Sequence, residues 1–400
     1  MTILISISTP DFTGGPRMGW VMTRALKFAG HRILVVSGPR PPVGQSSVLD
    51  AFHDDGIETI SESGFERTIP DRALIKRISS LVRRENVKLM ISLQQQDFRV
   101  MPFVAIKTSA KLVFYVQNAA KFSGNPITMA IKRLVYQQLL TRATAKLICC
   151  SEMVRDQHIQ RFGVPASRTV VVDNGVDLSR FRPISPERRC SIRTELGIAD
   201  DELMLLNVGR LSLQKGQDLL LRALASANLN GRKFKMVIVG AATHGMSESD
   251  AAYIDNLHRL AELPALAGRV VFAGWRDDIP KILQSADVYL HSANWEGMPL
   301  AVLEAMAAGL PSVSTDCAGV LTGFAPGEHG YLVQTGNEKA FRDAIEQLVG
   351  LSDVERTKMG HAAETLAVTN FDIDVLSKRF VFLVEQELND VSTATACPPS

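Results

Sequence analysis

The chain has 400 residues, 46% hydrophobic and 22% charged, with a formal net charge of +2. That length is too great for one compact core and comfortable for two domains, and the composition excludes disordered and fibrous classes. No apolar run approaches the ~20 residues that span a bilayer, and the five cysteines (Cys149, Cys150, Cys190, Cys317, Cys397) have neither disulfide-framework spacing nor histidines grouped beside them for zinc.

Met1 opens onto Thr-Ile-Leu-Ile-Ser-Ile-Ser with no basic lead or cleavage site, so the start reads as a first strand and not a signal peptide. A reducing, cytoplasmic setting is expected. In chain order, strands are predicted at 3–8, 32–36, 89–92, 112–116, 147–150 and 169–172, with amphipathic helices at 18–28, 72–84 and 131–143 among them. A second series has strands at 203–208, 235–239, 269–272, 288–290 and 312–314, with helices at 217–227, 251–261, 279–285 and 300–308. Strands nearly all apolar and separated by helices predict a parallel sheet covered on both faces. Two such series predict an α/β chain of two doubly wound, Rossmann-like domains.

Asn174-Gly175 predicts a turn and Arg182-Pro-Ile-Ser-Pro186 a stiff linker. The domains expected are therefore 1–178 and 187–370, followed by a helical segment at 371–390 that crosses back to the first domain, and a Ser/Thr/Ala/Pro-rich tail at 391–400. Ligands of doubly wound sheets bind outside the carboxyl ends of the strands, so the two domains are expected to face a central cleft.

Charge is unevenly distributed. Residues 1–172 hold 23 Lys/Arg against 12 Asp/Glu, and the remainder 21 against 30. A cationic first half suits an acidic acceptor or an anionic membrane surface, and equally suits charges spread over solvated helix faces. The basic stretches at 72–88 and 130–146 fit docking on anionic lipid, or simply the covering layer of a sheet. Nucleic acid is not expected, because no basic stripe interleaved with aromatics accompanies the charge.

The segment richest in chemistry is Trp295-Glu-Gly-Met-Pro-Leu-Ala-Val-Leu-Glu-Ala-Met-Ala-Ala-Gly-Leu-Pro311. Pro299 suits the first helical position, and Gly309 followed by Pro311 ends the helix. With Glu296 in the loop and Glu304 inside the helix, the two carboxylates can grip two ends of one extended ligand. Gly297 allows close backbone approach, and the free N–H groups at the helix start offer an anion site. A capping glutamate on an ordinary amphipathic helix is the plainer reading, but Glu304 lies in the apolar run Val-Leu-Glu-Ala-Met, where an unpaired carboxylate is costly.

A second motif, Asn207-Val-Gly-Arg-Leu-Ser-Leu-Gln-Lys-Gly-Gln217, follows a strand directly. Gly209 and Gly216 bracket a loop carrying Arg210 and Lys215, a fork and a point charge that together suit a diphosphate. A third, Thr13-Gly-Gly-Pro-Arg17, lies in the first strand-to-helix loop and lacks the dinucleotide-binding glycine spacing.

Together these motifs closely resemble those of the retaining family 4 glycosyltransferases, whose signature is two glutamates separated by seven residues. The resemblance implies the GT-B fold and transfer of a hexosyl group from a nucleotide-diphosphate sugar to a glycan or lipid-linked acceptor, in cell-envelope or exopolysaccharide synthesis. It implies that Glu296 contacts the donor sugar, that Glu304 contacts the ribose, and that backbone amides around Met298–Leu300, a stretch that includes Pro299 and follows Gly297, contact sugar and diphosphate. Arg210 and Lys215, beside Gly209, would hold the leaving diphosphate, so no metal and no cofactor is expected. Gly15 and Arg17 would face donor and acceptor. Gly240 falls at a glycine-rich turn of the family, and Trp275 and Arg276 in the segment whose backbone reads the base.

The chain also departs from the family's pattern. The loop 115–118 ends in Asn118, taken as a donor contact, and has no histidine where many members carry one. After Thr315-Asp316, Ala318 and Thr322 occupy places where many members have glycine and glutamate. These departures keep a sugar-nucleotide-binding protein in view, and a sugar-nucleotide epimerase on the same frame is the other alternative. Asp372-Ile-Asp374 superficially resembles a metal-binding Asp-x-Asp, but at a helix start it reads as an N-cap.

Overall fold

The computed structural model describes residues 1–41, 46–67, 69–118, 125–241, 248–317 and 321–394. Two compact units divide the chain: Met1–Asn174 joined by the chain from Asp374 onward, and Gly175–Ile373. The first unit runs β1 (Thr2–Ile7), α1 (Gly14–Phe28), β2 (Arg32–Ser37), α2 (Val48–Asp54), β3 (Glu58–Ser61), α3 (Arg72–Arg84), β4 (Leu89–Ser92), α4 (Met101–Lys107), β5 (Lys111–Val116), α5 (Pro126–Ala143), β6 (Lys146–Cys149), α6 (Glu152–Phe162) and β7 (Thr169–Val171). Its seven strands lie in the order β3-β2-β1-β4-β5-β6-β7, every pair parallel.

The second unit runs α7 (Pro186–Glu195), β8 (Leu203–Val208), α8 (Gln217–Ser226), β9 (Phe234–Val239), α9 (Glu248–Ala261), β10 (Val270–Gly274), α10 (Ile279–Ser285), β11 (Val288–His291), α11 (Leu300–Ala307), β12 (Ser312–Thr315), β13 (Gly330–Val333), α12 (Glu338–Gly350) and α13 (Asp353–Asn370). Its six strands are ordered β10-β9-β8-β11-β12-β13, again all parallel. In both sheets the order reverses beside the first strand, which is where a doubly wound sheet binds its ligand. The core of the second unit joins Leu205, Met236, Ile238, Val288, Leu290 and Val313 of the strands to Leu220, Leu224 and Ile345 of the helices.

Each sheet carries one edge strand the pattern did not reveal. β3, Glu-Thr-Ile-Ser, has mostly exposed side chains and therefore no apolar run. β13 is only half-buried and opens on Gly330, whose φ of +141° brings it so near Ser312 that a Cβ would lie 2.4 Å from the Ser312 carbonyl oxygen.

Helix starts also differ from expectation, with α5 beginning at Pro126 instead of 131 and α9 at Glu248 instead of 251. α1 begins at Gly14, with the Arg17 amide donating to the Thr13 carbonyl at 2.9 Å, so the glycine pair forms the first helical turn and not a preceding loop. Pro299 is the N-cap of α11, with extended φ −80° and ψ 92°, so it precedes the helix and is not its first residue, while the helix starts at Leu300 as the 300–308 reading has it.

The two basic helices part company. α3 buries Leu74, Ile75, Ile78, Leu81 and Val82, so it is covering layer. α5 buries only Tyr136 and Leu140, leaving Ile127, Met129, Ile131, Leu134 and Val135 exposed. The last helix, α14 (Ile373–Ala394), packs on the first unit: the Phe380 ring lies 5.1 Å from that of Tyr115, and Lys111 Nζ donates to the Glu387 carbonyl at 3.0 Å.

Candidate functional site

The carboxyl ends of β8 and β9 are brought together by glycine. The Gly209 amide donates to the Val239 carbonyl at 2.9 Å, and a Cβ on Gly240 would sit 2.0 Å from the Gly209 carbonyl oxygen. Gly240 has φ +141°, a conformation side chains rarely adopt, so this close approach requires glycine twice over. The Gly240 amide then donates to the Gly274 carbonyl at 2.8 Å, which attaches the end of β10 and the following Trp275 and Arg276.

The loop between Gly209 and Gly216 is fastened to the segment after β11. Gly216, left-handed at φ +61°, lies against the Ser292 carbonyl, 2.2 Å from where its Cβ would be. Ser292 Oγ donates to the Lys215 carbonyl at 3.1 Å, the Asn294 amide to the Gln214 carbonyl at 2.8 Å, and Asn294 Nδ2 to the Leu213 carbonyl at 2.6 Å. Lys215 Nζ forms an ion pair with Glu296 Oε1. Arg210 Nη2 donates to Gln214 Oε1 at 3.2 Å, while the Arg210 carbonyl accepts from Gln217 Nε2 at 2.8 Å.

Both signature glutamates are buried, Glu296 at 8% and Glu304 at 7% exposure. They share one neighbour. Burial pushes the Tyr289 hydroxyl up, and the charges of Glu304 and Glu296 push it the same way. Gly297, Met298 and Pro299 are buried and Leu300 half-buried at the start of α11. The structure thus gathers Gly209, Arg210, Lys215, Gly240, Glu296 and Glu304 around the point where the second sheet reverses.

Two residues that sequence reasoning passed over belong to this cluster. His291, 1% exposed at the end of β11, stacks on Tyr289 with centroids 6.3 Å apart and has no partner for Nε2 among the described residues. Burial, reinforced by the Lys215 charge, pushes it down to about 3, so it is neutral. Cys317 lies beside the ion pair: burial pushes its thiol up to about 12, a hydrogen bond from Thr315 opposes that, and the Glu296 charge adds to it. The alternation of the strand pattern exposes neither role, because both residues read as ordinary strand-end positions.

Arg276 does not join the cluster with its side chain. Its Nε and Nη2 donate to Asp278 at 2.8 and 2.9 Å and its Nη1 to Glu195, so only its backbone is left to meet a base. Trp275 is 56% exposed and donates from Nε1 to Asp277 at 3.1 Å. Thr322 offers its carbonyl to Asn370 Nδ2 at 3.2 Å, and Ala318 lies outside the described residues.

Gly15, Arg17 and Asn118 belong to the first unit. Gly15 lies in the first turn of α1 beside Gln117, whose Cβ would be 3.6 Å from a Cβ on the glycine. A chain of hydrogen bonds orients that glutamine: the Tyr115 hydroxyl donates to Asn174 Oδ1 at 3.1 Å, and Asn174 Nδ2 donates to Gln117 Oε1 at 2.9 Å. Asn118 is exposed. At the reversal point of this sheet, buried Asp97 accepts from Ser6 Oγ and the Ser8 amide, each at 2.9 Å. Burial raises its carboxyl from the usual 3.8 to about 6. Among the described residues, no group of three or more His, Cys, Asp and Glu could hold a metal ion.

Residues 13–180 match the family described as Glycosyltransferase Family 4, and residues 189–365 match Glycosyl transferases group 1. The lipopolysaccharide core biosynthesis glycosyltransferase LpsE of Rhizobium meliloti is 30% identical over 82% of this chain and 85% of its own. The chain belongs to the group 1/family 4 glycosyltransferases. Another member-like relative, EpsD of Bacillus subtilis, is 30% identical over 64% of this chain and 65% of its own, just under two thirds of that protein. The glycosyltransferase fold is GT-B: the structure of Anabaena HepE in complex with UDP superposes with a TM-score of 0.81 at 21% identity, covering 96% of this chain and 100% of that one.

Proposed function

We propose that this family member is a retaining glycosyltransferase that moves a hexosyl group from a nucleotide-diphosphate sugar to a hydroxyl of a glycan or lipid-linked acceptor, in cell-envelope or exopolysaccharide synthesis. The observation that carries the proposal is the cluster of Arg210, Lys215, Glu296 and Glu304 at one end of the second sheet. Its cations suit a diphosphate and its buried carboxylates suit the hydroxyls of a sugar and a ribose. Charge that develops on the leaving diphosphate would be met by Arg210 and Lys215, in surroundings dry enough for such charges to act strongly. The reading calls for no metal and no cofactor. The acceptor hydroxyl attacks the face from which the diphosphate departs, and anomeric configuration is kept.

UDP-glucose is the first donor to try, because HepE has been crystallised with it. Release of nucleoside diphosphate is to be measured from UDP-, GDP- and ADP-sugars, with and without a glycolipid extract as acceptor. Acceptor-dependent release from one donor is expected. Binding without release under any acceptor favours a sugar-nucleotide-binding protein, and no binding of any donor ends the proposal.

We further propose that the first unit makes peripheral contact with an anionic membrane through α5. Residues 101–150 contain seven Lys/Arg and no Asp/Glu, and Lys132 and Arg133 lie among the exposed Ile127, Met129, Ile131, Leu134 and Val135. An apolar surface among cations fits the interface of anionic lipid. No helix among the described residues is long and apolar enough to cross a membrane. Co-sedimentation with phosphatidylglycerol vesicles is expected at low salt and should fall away at high salt. Absence of pelleting at low salt, or pelleting unchanged in Ile131→Glu/Leu134→Glu, contradicts the α5 assignment.

A further inference from the structure

We propose that Gln214 is a positioning residue, holding Arg210 in register with the loop that carries Glu296; this rests on the reading of Arg210 as a diphosphate ligand. Arg210 stands on a loop whose tip, Leu213, is 57% exposed. Its guanidinium makes one side-chain hydrogen bond among the described residues, from Nη2 to Gln214 Oε1 at 3.2 Å. The same amide donates from Nε2 to the Trp295 carbonyl at 3.2 Å, one residue before Glu296.

Chemistry fixes the orientation of that amide. A guanidinium only donates and a carbonyl only accepts, so the oxygen must face Arg210 and the nitrogen must face Trp295. Only a side chain with both functions, at this length, can bridge the two. A carboxylate at 214 would hold Arg210 but turn a second acceptor toward the Trp295 carbonyl, and would offset the cation meant for the diphosphate. A methionine would fill the same space and hold neither.

The bridge leaves most of the guanidinium's N–H donors free for an anion while restricting where the fork can swing, which is the preorganisation that favours binding of a planar or tetrahedral oxyanion. The loop itself does not depend on the amide. Its path is already set by the Asn294 amide and side chain on the Gln214 and Leu213 carbonyls and by Ser292 on the Lys215 carbonyl. Gln214 therefore acts on Arg210 and not on the fold.

The test is a double-mutant cycle between Gln214→Met and Arg210→Ala in the full chain, read as nucleotide affinity by calorimetry. UDP, GDP and ADP are each titrated, and the one that binds the wild type tightest serves for the cycle. Gln214→Met is expected to weaken it about tenfold, the worth of one charged hydrogen bond, with the thermal transition unmoved. On the Arg210→Ala background the same change should cost less than about twofold, since the residue it positions is gone. Gln214→Asn, too short to reach both partners, replaces the methionine variant if the latter loses its thermal transition.

Equal losses from Gln214→Met on both backgrounds overturn the inference while leaving the role of Arg210 intact. No loss from Arg210→Ala, or no binding of any of the three nucleotides, overturns the reading of the site and the inference with it.

Discussion

Lys215 and Glu296 neutralise each other, so under the proposed function a diphosphate that takes Lys215 competes with the glutamate. Glu296→Gln removes the carboxylate charge at nearly constant volume. The two side chains are 18% and 9% exposed, so solvent screens the pair weakly. Two unit charges about 4 Å apart attract by about 4 kcal/mol at an effective dielectric constant of ~20. Desolvation offsets part of this, leaving about 1.5–3 kcal/mol for a charged hydrogen bond. In the variant Lys215 is free, so a nucleoside diphosphate without sugar should bind about tenfold tighter or more. The sugar loses its carboxylate partner, so transfer from the intact donor should fall by about 10- to 100-fold. Calorimetric titration with nucleoside diphosphate and initial rates with the sugar nucleotide read the two effects separately. Weaker or unchanged nucleoside diphosphate affinity in Glu296→Gln refutes the idea that the glutamate competes for Lys215.

Other consequences follow from the same geometry. Gly240→Ala places a methyl 2.0 Å from the Gly209 carbonyl at φ +141°, so the β8 and β9 ends must separate. It is expected to lower stability by about 2–3 kcal/mol and abolish nucleotide binding; a denaturation midpoint equal to wild type contradicts this. Asp97 is raised to about 6 in the folded chain, so between pH 4 and 6 the native state holds more protons than the unfolded one and stability falls as pH rises. That component, about 3 kcal/mol in full, should vanish in Asp97→Asn, and urea unfolding at pH 4, 5, 6 and 7 with parallel wild-type and variant curves would rule it out. Lys215→Met should weaken nucleoside diphosphate binding less than Arg210→Ala does, because what Lys215 gains from the diphosphate is offset by the ion pair with Glu296 that must break, whereas Arg210 has no carboxylate partner among the described residues; the opposite order contradicts the pairing.

Runs of Val, Ile and Leu bounded by glycine and proline made the central strands legible, since a strand buried on both faces leaves nothing polar to confuse the pattern. Edge strands such as β3 lack that constraint, and Glu58 and Thr59 point to solvent. The start of α1 was hidden because glycines are read as loop, although Gly14 and Gly15 here turn with the helix. Glu296, Glu304, Arg210 and Lys215 were visible as motifs because charge in an apolar or glycine-rich setting is conspicuous. Gln214 was not, since a neutral amide gains its meaning only from two partners, one of them 81 residues away. Arg276 was expected to meet a base through its backbone, and packing adds that its side chain is spent on Asp278 and Glu195. Likewise α3 and α5 look alike in sequence, and only packing separates the covering helix from the exposed one.

Under the proposed function the second unit binds a nucleotide-diphosphate sugar through Arg210, Lys215, Glu296 and Glu304. Calorimetric titration of UDP-, GDP- and ADP-sugars into the wild type and into Arg210→Ala and Glu304→Ala tests it most directly. One sugar nucleotide should bind the wild type, with affinity reduced about tenfold or more in each variant. Wild-type binding that survives both substitutions unchanged, or no binding by any of the three donors, contradicts the account.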